Sequence, residues 1–356
     1  MKVYFVTSNN WGAYVVRCLL PLVANGWDGD SVSLIPFKKT PEDKFRAAND
    51  ADIVVIHRPS DKTRLELVRL LKQKGKKIVV DNDDTFKDHQ SVKLNEYFDK
   101  ERVRRGLENV NMIFDACLIE ADLVTTTTEF LAEEYRKLNK NVVVLPNCVD
   151  PFYFDEPLRN ETDIVRIGIT GSITNTGDLD VAAPIIRHYE KDKRVKIVFF
   201  GLPPNRKDNP RTEAIYRDEY AFLDSVDVEW HPAVDADKWY EKINELRLDI
   251  MLIPREENYF NRCKSNLKFL EASMFEIPCI CSAFNDEKSP YQANPLDREN
   301  LVLIYDNSKW VEEIEKLIAD KEGRRALGKK AHEYVLKNYN IDDKAHLWVE
   351  AYQKIL

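Results

Sequence analysis

The sequence predicts an α/β protein with two doubly wound, Rossmann-like domains that face each other across a cleft. Two observations lead to this fold class. Short apolar segments alternate with helix-like segments, which is typical of parallel strands covered by helices on both faces. The alternation stops near Pro146 and Pro151 and restarts after the polar residues 155–163. We therefore expect one domain over 1–150 and a second over 151–335, with a ligand cleft where the carboxyl ends of their strands meet.

The first domain contains six predicted strands, each a short run of apolar and β-branched residues. They are residues 2–6, 31–35, 52–57, 77–81, 122–126 and 141–145. Helical periodicity between these runs predicts helices at residues 14–24, 62–74, 94–116 and 128–138. Six strands separated by helices are enough for one doubly wound domain.

The second domain repeats this architecture without repeating the sequence. Its predicted strands are residues 166–171, 195–201, 226–231, 248–254, 277–283 and 300–305. Residues 310–356 have helical periodicity, so we expect helices there.

The composition argues against several classes of protein. No apolar run reaches about 18 residues, the length of a membrane-spanning helix, and residues 1–10 resemble a strand, not a signal peptide. Residues 1–150 carry 23 basic and 23 acidic residues, so the net charge of −8 lies in the second domain. A nucleic-acid-binding protein usually shows a basic excess. Six cysteines without metal-ligand or disulfide spacing favour a cytoplasmic location.

The most basic segment is 61–77, which has seven Lys and Arg residues against two acids. We interpret it as the exposed face of a surface helix. A peripheral membrane contact is the alternative.

The stretch FNRCKSNLKFLE, residues 260–271, follows the predicted strand 248–254. Ser265 is a good N-cap, so we expect a helix from about residue 266 to Phe275. A helix N-terminus carries free N–H groups and partial positive charge, which suits a phosphate.

Charged residues surround this helix start. Arg255 and Lys264 would add full positive charges, and Glu271 would accept hydrogen bonds from sugar hydroxyls. The alternative is a capped surface helix with an ion pair between Lys268 and Glu271.

Two loops of the first domain are expected to face the cleft. In TSNNWGAY, residues 7–14, the sugar-binding candidates are Asn10, Trp11 and Gly12, with a simple helix cap as the alternative. His57 and Arg58 follow the strand 52–57, where either a cleft role or a structural role is open.

The segment VVDNDDTF, residues 79–86, brings three carboxylates to the end of one strand. They repel one another unless a cation or a hydroxyl lies between them. We expect Asp83 and Asp84 to contact sugar hydroxyls or an acceptor. A metal site and a helix cap are the alternatives.

The segment from LDIMLIPREENYFNRCKSNLKFLE to CICSAF, residues 248–284, is similar to the nucleotide-sugar signature of family-4 glycosyltransferases, which have the GT-B fold. LPNCVDPFYF, residues 145–154, resembles the interdomain segment of that family. Residues 320–356 resemble its C-terminal region, which implies that residues 336–356 cross back to the first domain. The resemblance covers most of the second domain and the first domain loosely.

The resemblance implies roles for individual residues. Glu271 matches the glutamate that holds the donor ribose, whereas Cys263 stands where the family has another glutamate. Asp83 falls where many members carry a histidine beside the donor sugar, and we expect it to act in catalysis with Arg255 and Lys264. The further residues expected to bind the donor are Gly171, Ser172, His231, Val234, Asn261, Ser265, Asn266 and Lys268.

The implied activity is a retaining transfer of a sugar from a nucleoside diphosphate sugar, with a UDP-sugar favoured and a GDP-sugar as the alternative. The family needs no cofactor and no bound metal. The acceptor is a hydroxyl group on a glycan, a lipid-linked sugar, a protein or a metabolite, with a modified nucleic acid less favoured. Two rival functions stay open: a nucleotide-sugar epimerase or phosphorylase of the same architecture, and a non-catalytic sugar-nucleotide-binding scaffold.

Overall fold

A computed structural model describes residues 1–7, 12–29, 41–87, 100–171, 176–202 and 221–356. The predicted strand 31–35 and the first residues of the predicted helix 94–116 lie outside these ranges.

The first sheet has six parallel strands in the order β2-β1-β3-β4-β5-β6. Their bounds are β1 Val3–Val6, β2 Asp28–Gly29, β3 Ile53–His57, β4 Lys77–Asp81, β5 Leu123–Thr126 and β6 Val142–Val144. Every residue of β1, β3 and β5 is buried. Continuous burial explains why these strands are apolar throughout rather than alternating, as in parallel sheets covered on both faces.

Helices cover both faces of the first sheet. Their bounds are Gly12–Tyr14, Leu20–Ala24, Pro41–Asp50, Lys62–Gln73, Lys100–Glu120 and Glu129–Arg136. A π-helical segment, Val15–Leu19, joins the first two of these helices. Pro21 has no N–H for the carbonyl four residues earlier, which accounts for the widening at this point.

The second sheet also has six parallel strands, in the order β12-β11-β10-β7-β8-β9. Their bounds are β7 Val165–Thr170, β8 Val195–Leu202, β9 Val228–Pro232, β10 Ile250–Ile253, β11 Cys279–Ser282 and β12 Val302–Ile304. Helices pack on both faces of this sheet as well. Their bounds are Thr176–Tyr189, Trp239–Glu245, Tyr259–Arg262, Leu267–Met274, Trp310–Ala319 and Lys321–Tyr339.

Each sheet carries a buried apolar cluster on each face. In β1, Tyr4 and Val6 join one cluster while Val3 and Phe5 join the other, because successive side chains of a strand point to opposite faces. In none of the described ranges is a helix both long and apolar enough to span a membrane.

The polypeptide passes between the domains twice, at adjacent points. Val149 forms a parallel bridge with Asn340, and its N–H donates to the carbonyl of Tyr339 over 2.8 Å. We call this pair of crossings the hinge. Beyond it, helices Ile341–Lys344 and His346–Gln353 pack on the first domain, where Trp348 and Tyr352 are fully buried.

Candidate functional site

A cavity of about 410 Å³ lies between the domains, where the carboxyl ends of strands from both sheets meet. This is the expected position for a ligand in open α/β sheets. Eleven of the sequence-predicted site residues line it: Gly12, Arg58, Asp83, Asp84, Gly171, Val234, Arg255, Lys264, Ser265, Lys268 and Glu271.

The floor of the cavity is helix Leu267–Met274, which we call the cleft helix. Its cap position is Asn266, one residue later than predicted, and the Asn266 side chain makes no capping hydrogen bond. The hydroxyl of Ser265 instead accepts a hydrogen bond from Asn147 Nδ2 over 2.8 Å. A separate helical turn, Tyr259–Arg262, precedes the cleft helix where the sequence indicated only a loop.

Lys268 and Glu271 line the cavity and do not form the exposed surface pair that was the alternative. Lys268 Nζ donates to the carbonyl of Thr170 over 2.7 Å. Glu271 is 8% exposed. Desolvation lowers the pKa of Lys268 to about 7 and raises the pKa of Glu271 to about 7. Near neutral pH, both side chains therefore respond to the charge of a ligand.

Arg255 follows β10 and is 5% exposed. Its Nη1 donates to Asp178 Oδ2 over 2.6 Å, and Asp178 Oδ1 accepts from the backbone N–H of Glu256 over 3.0 Å. Burial disfavours the charge, but Asp178 raises the pKa of Arg255 above its usual value. Its Nε is buried without a hydrogen-bond partner among the described residues. Arg255 is therefore a buried cation that Asp178 fixes at the lining of the cavity.

Each of the three carboxylates in the segment 79–86 has its own cationic partner. Arg17 binds Asp81 through two hydrogen bonds, of 2.6 and 3.1 Å. Asp84 Oδ2 accepts from Lys264 Nζ over 2.6 Å, an ion pair that joins the two walls of the cleft. This pairing removes the mutual repulsion that the sequence implied. Among the described residues, no group of three or more His, Cys, Asp or Glu side chains is arranged to hold a metal ion.

Asp83 is held from two sides. Arg58 Nε donates to Asp83 Oδ1 over 2.7 Å, and His57 Nε2 lies 3.5 Å from the same oxygen. Burial works against the ionised form, but Arg58 and then His57 keep the pKa of Asp83 well below its usual range. Arg58 has a φ of 49°, a strained left-handed conformation for a non-glycine residue. Such strain is often found where function fixes a side chain.

Cys263 is fully buried and packs with the apolar cluster of the first domain that includes Tyr135. Burial raises the pKa of its thiol to about 12. The thiol is therefore protonated at neutral pH and unsuited to nucleophilic attack. At this position, the side chain supports contact between the domains.

Four predicted residues do not line the cavity. His57 is buried beneath Asp83. His231 is in β9, and its Nε2 lies 2.8 Å from Glu229 Oε1. Asn261 is fully buried and donates to Asp178 Oδ1 over 2.8 Å, so it orients the partner of Arg255. Asn266 faces away from the cavity and donates to Asp297 Oδ2 over 2.7 Å.

Three further predicted residues, Asn10, Trp11 and Ser172, lie outside the described residues.

Sequence reasoning missed several residues that line the cavity, among them Gly201, Trp239 and Tyr240. Gly201 has a φ of 119°, and a Cβ there would lie 2.4 Å from the carbonyl oxygen of Gly171. Only glycine fits this close approach of two strand ends. Trp239 stacks on Phe200 with ring centroids 4.6 Å apart. The aromatic pair WY at 239–240 was the available signal.

No protein-family model matches this chain, and none of the curated proteins matches its sequence. Solved structures do match its fold. The Anabaena protein Alr3699/HepE, solved with UDP and glucose, has a TM-score of 0.65 at 11% identity, with 99% of both chains covered. A glycosyltransferase from Rickettsia africae has a TM-score of 0.63 at 13% identity, covering 99% of this chain and 98% of that one.

A third similar structure is an alpha-glucosyltransferase solved with UDP-glucose and DNA containing an abasic site. Its TM-score is 0.64 at 13% identity, and the match covers 100% of this chain and 99% of that one. These likenesses span both domains, and with the two parallel sheets they confirm the predicted fold class: GT-B, with two Rossmann-like domains facing across a cleft.

Proposed function

We propose that this chain is a retaining glycosyltransferase that moves a sugar from a nucleoside diphosphate sugar to a hydroxyl acceptor. The observation that carries the proposal is one interdomain cavity in which Arg255, Lys264 and Lys268 meet the buried carboxylate of Glu271. Cations suit a diphosphate, and a buried carboxylate suits the hydroxyls of a ribose or a sugar. The cavity has both kinds of group around the N-terminal part of the cleft helix.

The diphosphate is placed at the N-terminus of the cleft helix. Its N–H groups and partial positive charge favour an anion, and Lys268 is in its first turn. Arg255 contributes a buried charge that Asp178 keeps in position. Lys264 contributes a second charge once the ligand replaces Asp84 as its partner. These groups stabilise negative charge that grows on the departing diphosphate.

Glu271 is placed to receive the ribose hydroxyls, beside the indole of Trp239, which supplies an apolar surface. On the opposite wall, Asp83, Asp84 and Arg58 are placed to contact the transferred sugar or the acceptor. In the transfer, the bond between the anomeric carbon and the phosphate oxygen breaks. The acceptor oxygen bonds to that carbon on the same face, and its proton moves to the departing phosphate oxygen.

A UDP-sugar is the first donor to test, since the similar structures of the Anabaena protein and the alpha-glucosyltransferase contain UDP or UDP-glucose. A GDP-sugar is the second. We propose that the reaction needs no cofactor and no metal, because the cavity's cations fill the role of a metal ion. The acceptor class stays open among glycans, lipid-linked sugars, proteins and metabolites, with modified nucleic acid less favoured. A cytoplasmic location fits the six free thiols.

Two observations favour a second candidate, a non-catalytic sugar-nucleotide-binding scaffold. Lys264 is held by Asp84, and Cys263 replaces a carboxylate of the family signature. In such a scaffold, the ligand would bind without losing its sugar. An epimerase or phosphorylase of the same architecture would instead change the sugar or release it as a sugar phosphate.

The test has two stages. Thermal-shift measurements with UDP, GDP and their sugars should show stabilisation by one nucleotide, because a ligand that binds only the folded state raises its stability. The purified protein is then incubated with the matching nucleotide sugar, and released nucleoside diphosphate is measured. We expect release by the wild type, none by Glu271→Ala, and wild-type release by Glu245→Ala, an exposed control glutamate.

The outcomes separate the candidates. No stabilisation by any nucleotide would overturn the proposal. Binding without release, in the presence of a wide acceptor panel, would favour the scaffold. Release of a sugar phosphate would favour a phosphorylase.

A further inference from the structure

A buried polar cluster lies behind the cleft helix, outside the lining of the cavity. Its members are Asn266, Asn294, Asp297, Tyr334 and Tyr339, and we call it the Asp297 cluster. Asp297 is fully buried. Its Oδ1 accepts from the hydroxyls of Tyr334 and Tyr339, over 2.7 and 2.8 Å. Asn294 Nδ2 donates to both of these hydroxyls, over 3.1 and 3.0 Å.

The cluster holds Asn266, the cap residue of the cleft helix. Asn266 Nδ2 donates to Asp297 Oδ2 over 2.7 Å and to the Tyr339 hydroxyl over 3.2 Å. An asparagine at a helix start normally caps the first turn, but here the side chain is turned the other way. The Asn266 side chain consequently leaves the N–H groups of Leu267 and Lys268 to a ligand in the cavity, whereas the N–H of Phe269 donates to the Asn266 carbonyl oxygen over 2.9 Å.

The same cluster touches the hinge. The carbonyl of Tyr339 accepts from the N–H of Val149, and the N–H of Ile341 donates to the carbonyl of Val149, each over 2.8 Å. The hydroxyl of Tyr339 is therefore hydrogen-bonded to Asn266 at the start of the cleft helix, and its backbone carbonyl is hydrogen-bonded to Val149 in the hinge. It is the last residue of helix Lys321–Tyr339.

Helix Lys321–Tyr339 also holds the other end of the cleft helix. His332 Nδ1 lies 3.1 Å from the carbonyl oxygen of Met274, within hydrogen-bond distance. A Cβ on Gly328 would lie 2.0 Å from the carbonyl oxygen of Glu276, so the two segments are in close backbone contact. The cleft helix is thus fixed at both ends to one long helix that runs into the hinge.

We infer that Asp297 and Tyr339 are positioning residues that couple the hinge between the domains to the diphosphate end of the donor site. Rotation of the domains about Val149 moves Tyr339, and Asp297 transmits that movement to Asn266 at the start of the cleft helix. This inference rests on the proposed function, since it assigns a mechanical role to the same donor site. Neither residue touches the cavity.

The experiment compares two tyrosines that donate to the same carboxylate oxygen. Tyr339→Phe removes a hydroxyl that accepts a hydrogen bond from Asn266, and the backbone of Tyr339 is also hydrogen-bonded to Val149 in the hinge. Tyr334→Phe removes a hydroxyl that contacts neither Asn266 nor the hinge. We measure the melting temperature, the calorimetric Kd for UDP, and the donor KM and kcat. Tyr189→Phe, a buried tyrosine at the opposite end of helix Thr176–Tyr189 from the cleft, is the control for the substitution itself.

We expect Tyr339→Phe to weaken UDP binding about tenfold and to raise the donor KM by a similar factor, with less than a roughly twofold change in kcat. Tyr334→Phe and Tyr189→Phe should change Kd less than about twofold. Asp297→Asn should weaken UDP binding like Tyr339→Phe.

Equal effects of Tyr339→Phe and Tyr334→Phe on Kd, or lower melting temperatures with unchanged Kd and KM, would overturn the inference and leave the proposed function standing. Wild-type protein that binds no nucleoside diphosphate would overturn the proposed function and this inference with it.

Discussion

The two walls of the cleft handle their charges differently. On the first-domain wall, Asp83 Oδ1 accepts a hydrogen bond from Arg58, and His57 Nε2 lies 3.5 Å from the same oxygen, so its contacts are within that wall. On the second-domain wall, Arg255 is paired with Asp178, whereas the hydrogen-bond partner of Lys268 among the described residues is a backbone carbonyl. Among the described residues, the ion pair between Lys264 and Asp84 joins the two walls.

This difference indicates a division of labour. Side chains whose charges are already paired keep a fixed geometry and recognise neutral hydroxyls at little electrostatic cost. Lys268, which forms no ion pair among the described residues, attracts an anion instead. The pair between Lys264 and Asp84 makes the two walls complementary in the ligand-free protein, and under the proposed function the donor has to take Lys264 from Asp84.

Neutralising Lys264 is the strongest test of the difference between the two walls. Lys264→Met should lower kcat/KM for the donor by about 10²- to 10³-fold, because it removes a charge that stabilises the departing diphosphate. Steady-state kinetics with a saturating acceptor measure this. Lys288→Met is the matched control: Lys288 also reaches the first domain, over the ring of Phe130, but does not line the cavity. Equal losses in both variants would mean that domain contact matters and phosphate contact does not.

The first-domain wall is tested through stability. Asp83→Asn leaves Arg58 without its closest carboxylate partner and should lower the free energy of unfolding by about 1–3 kcal/mol at pH 7. Since the pKa of Asp83 is lowered in the folded state, its stabilisation is present above the unfolded pKa of about 4 and is lost as the pH falls. Urea unfolding at pH 7 and at about pH 3.5 should therefore show a gap between wild type and variant that narrows in acid. A difference in unfolding free energy that does not change with pH would contradict a lowered pKa of Asp83 in the folded state.

The second-domain wall should bind UDP in a pH-dependent way. A diphosphate favours charged Lys268, so binding takes up a proton above pH 7 and weakens as the pH rises through about 7. Ribose hydroxyls favour ionised Glu271, so binding releases a proton below pH 7 and weakens as the pH falls. Calorimetry from pH 6 to 8.5 should show an affinity maximum near neutrality, with several-fold losses on each side. Lys268→Met should remove the loss of UDP affinity above pH 7, and Glu271→Gln should remove the loss below pH 7.

The smallest expected effect concerns the ion pair between the walls. Asp84→Asn frees Lys264 and should tighten UDP binding by up to about fivefold, the equivalent of about 1 kcal/mol for a partly exposed pair. Isothermal titration at low ionic strength is the suitable measurement, since salt screens such pairs. Weaker UDP binding by this variant would show that Asp84 helps the donor to bind instead of competing for Lys264.

The sequence predicted the strands well because their cause is local. Runs such as residues 52–57 and 77–81 are apolar throughout, and burial on both faces of a parallel sheet requires that pattern. The charged residues of the cleft helix were also found, since Lys264, Lys268 and Glu271 follow a strand end with motif-like spacing.

Side-chain direction was harder to predict. The cleft helix begins one residue later than expected, so Asn266 is its cap and lies outside the helical turns that direct Lys268 and Glu271 into the cavity. Asn266 was expected in the cavity, but its side chain points to Asp297 instead. Trp239 was missed because the aromatic pair at 239–240 was its only local signal, and the short helix Trp239–Glu245 reaches the cavity by tertiary packing.

The last helices of the chain complete the core of the first domain, and this arrangement affects how the protein is made. Trp348 and Tyr352 are buried there beside residues that a ribosome adds about 200 positions earlier. At a translation rate of roughly 5–20 residues per second, the first domain lacks these helices for about 10–40 s after its strands have been synthesised. During that interval, its exposed apolar face is a natural target for chaperones. A premature stop near residue 340 would therefore damage the first domain, although every strand of that domain had already been synthesised.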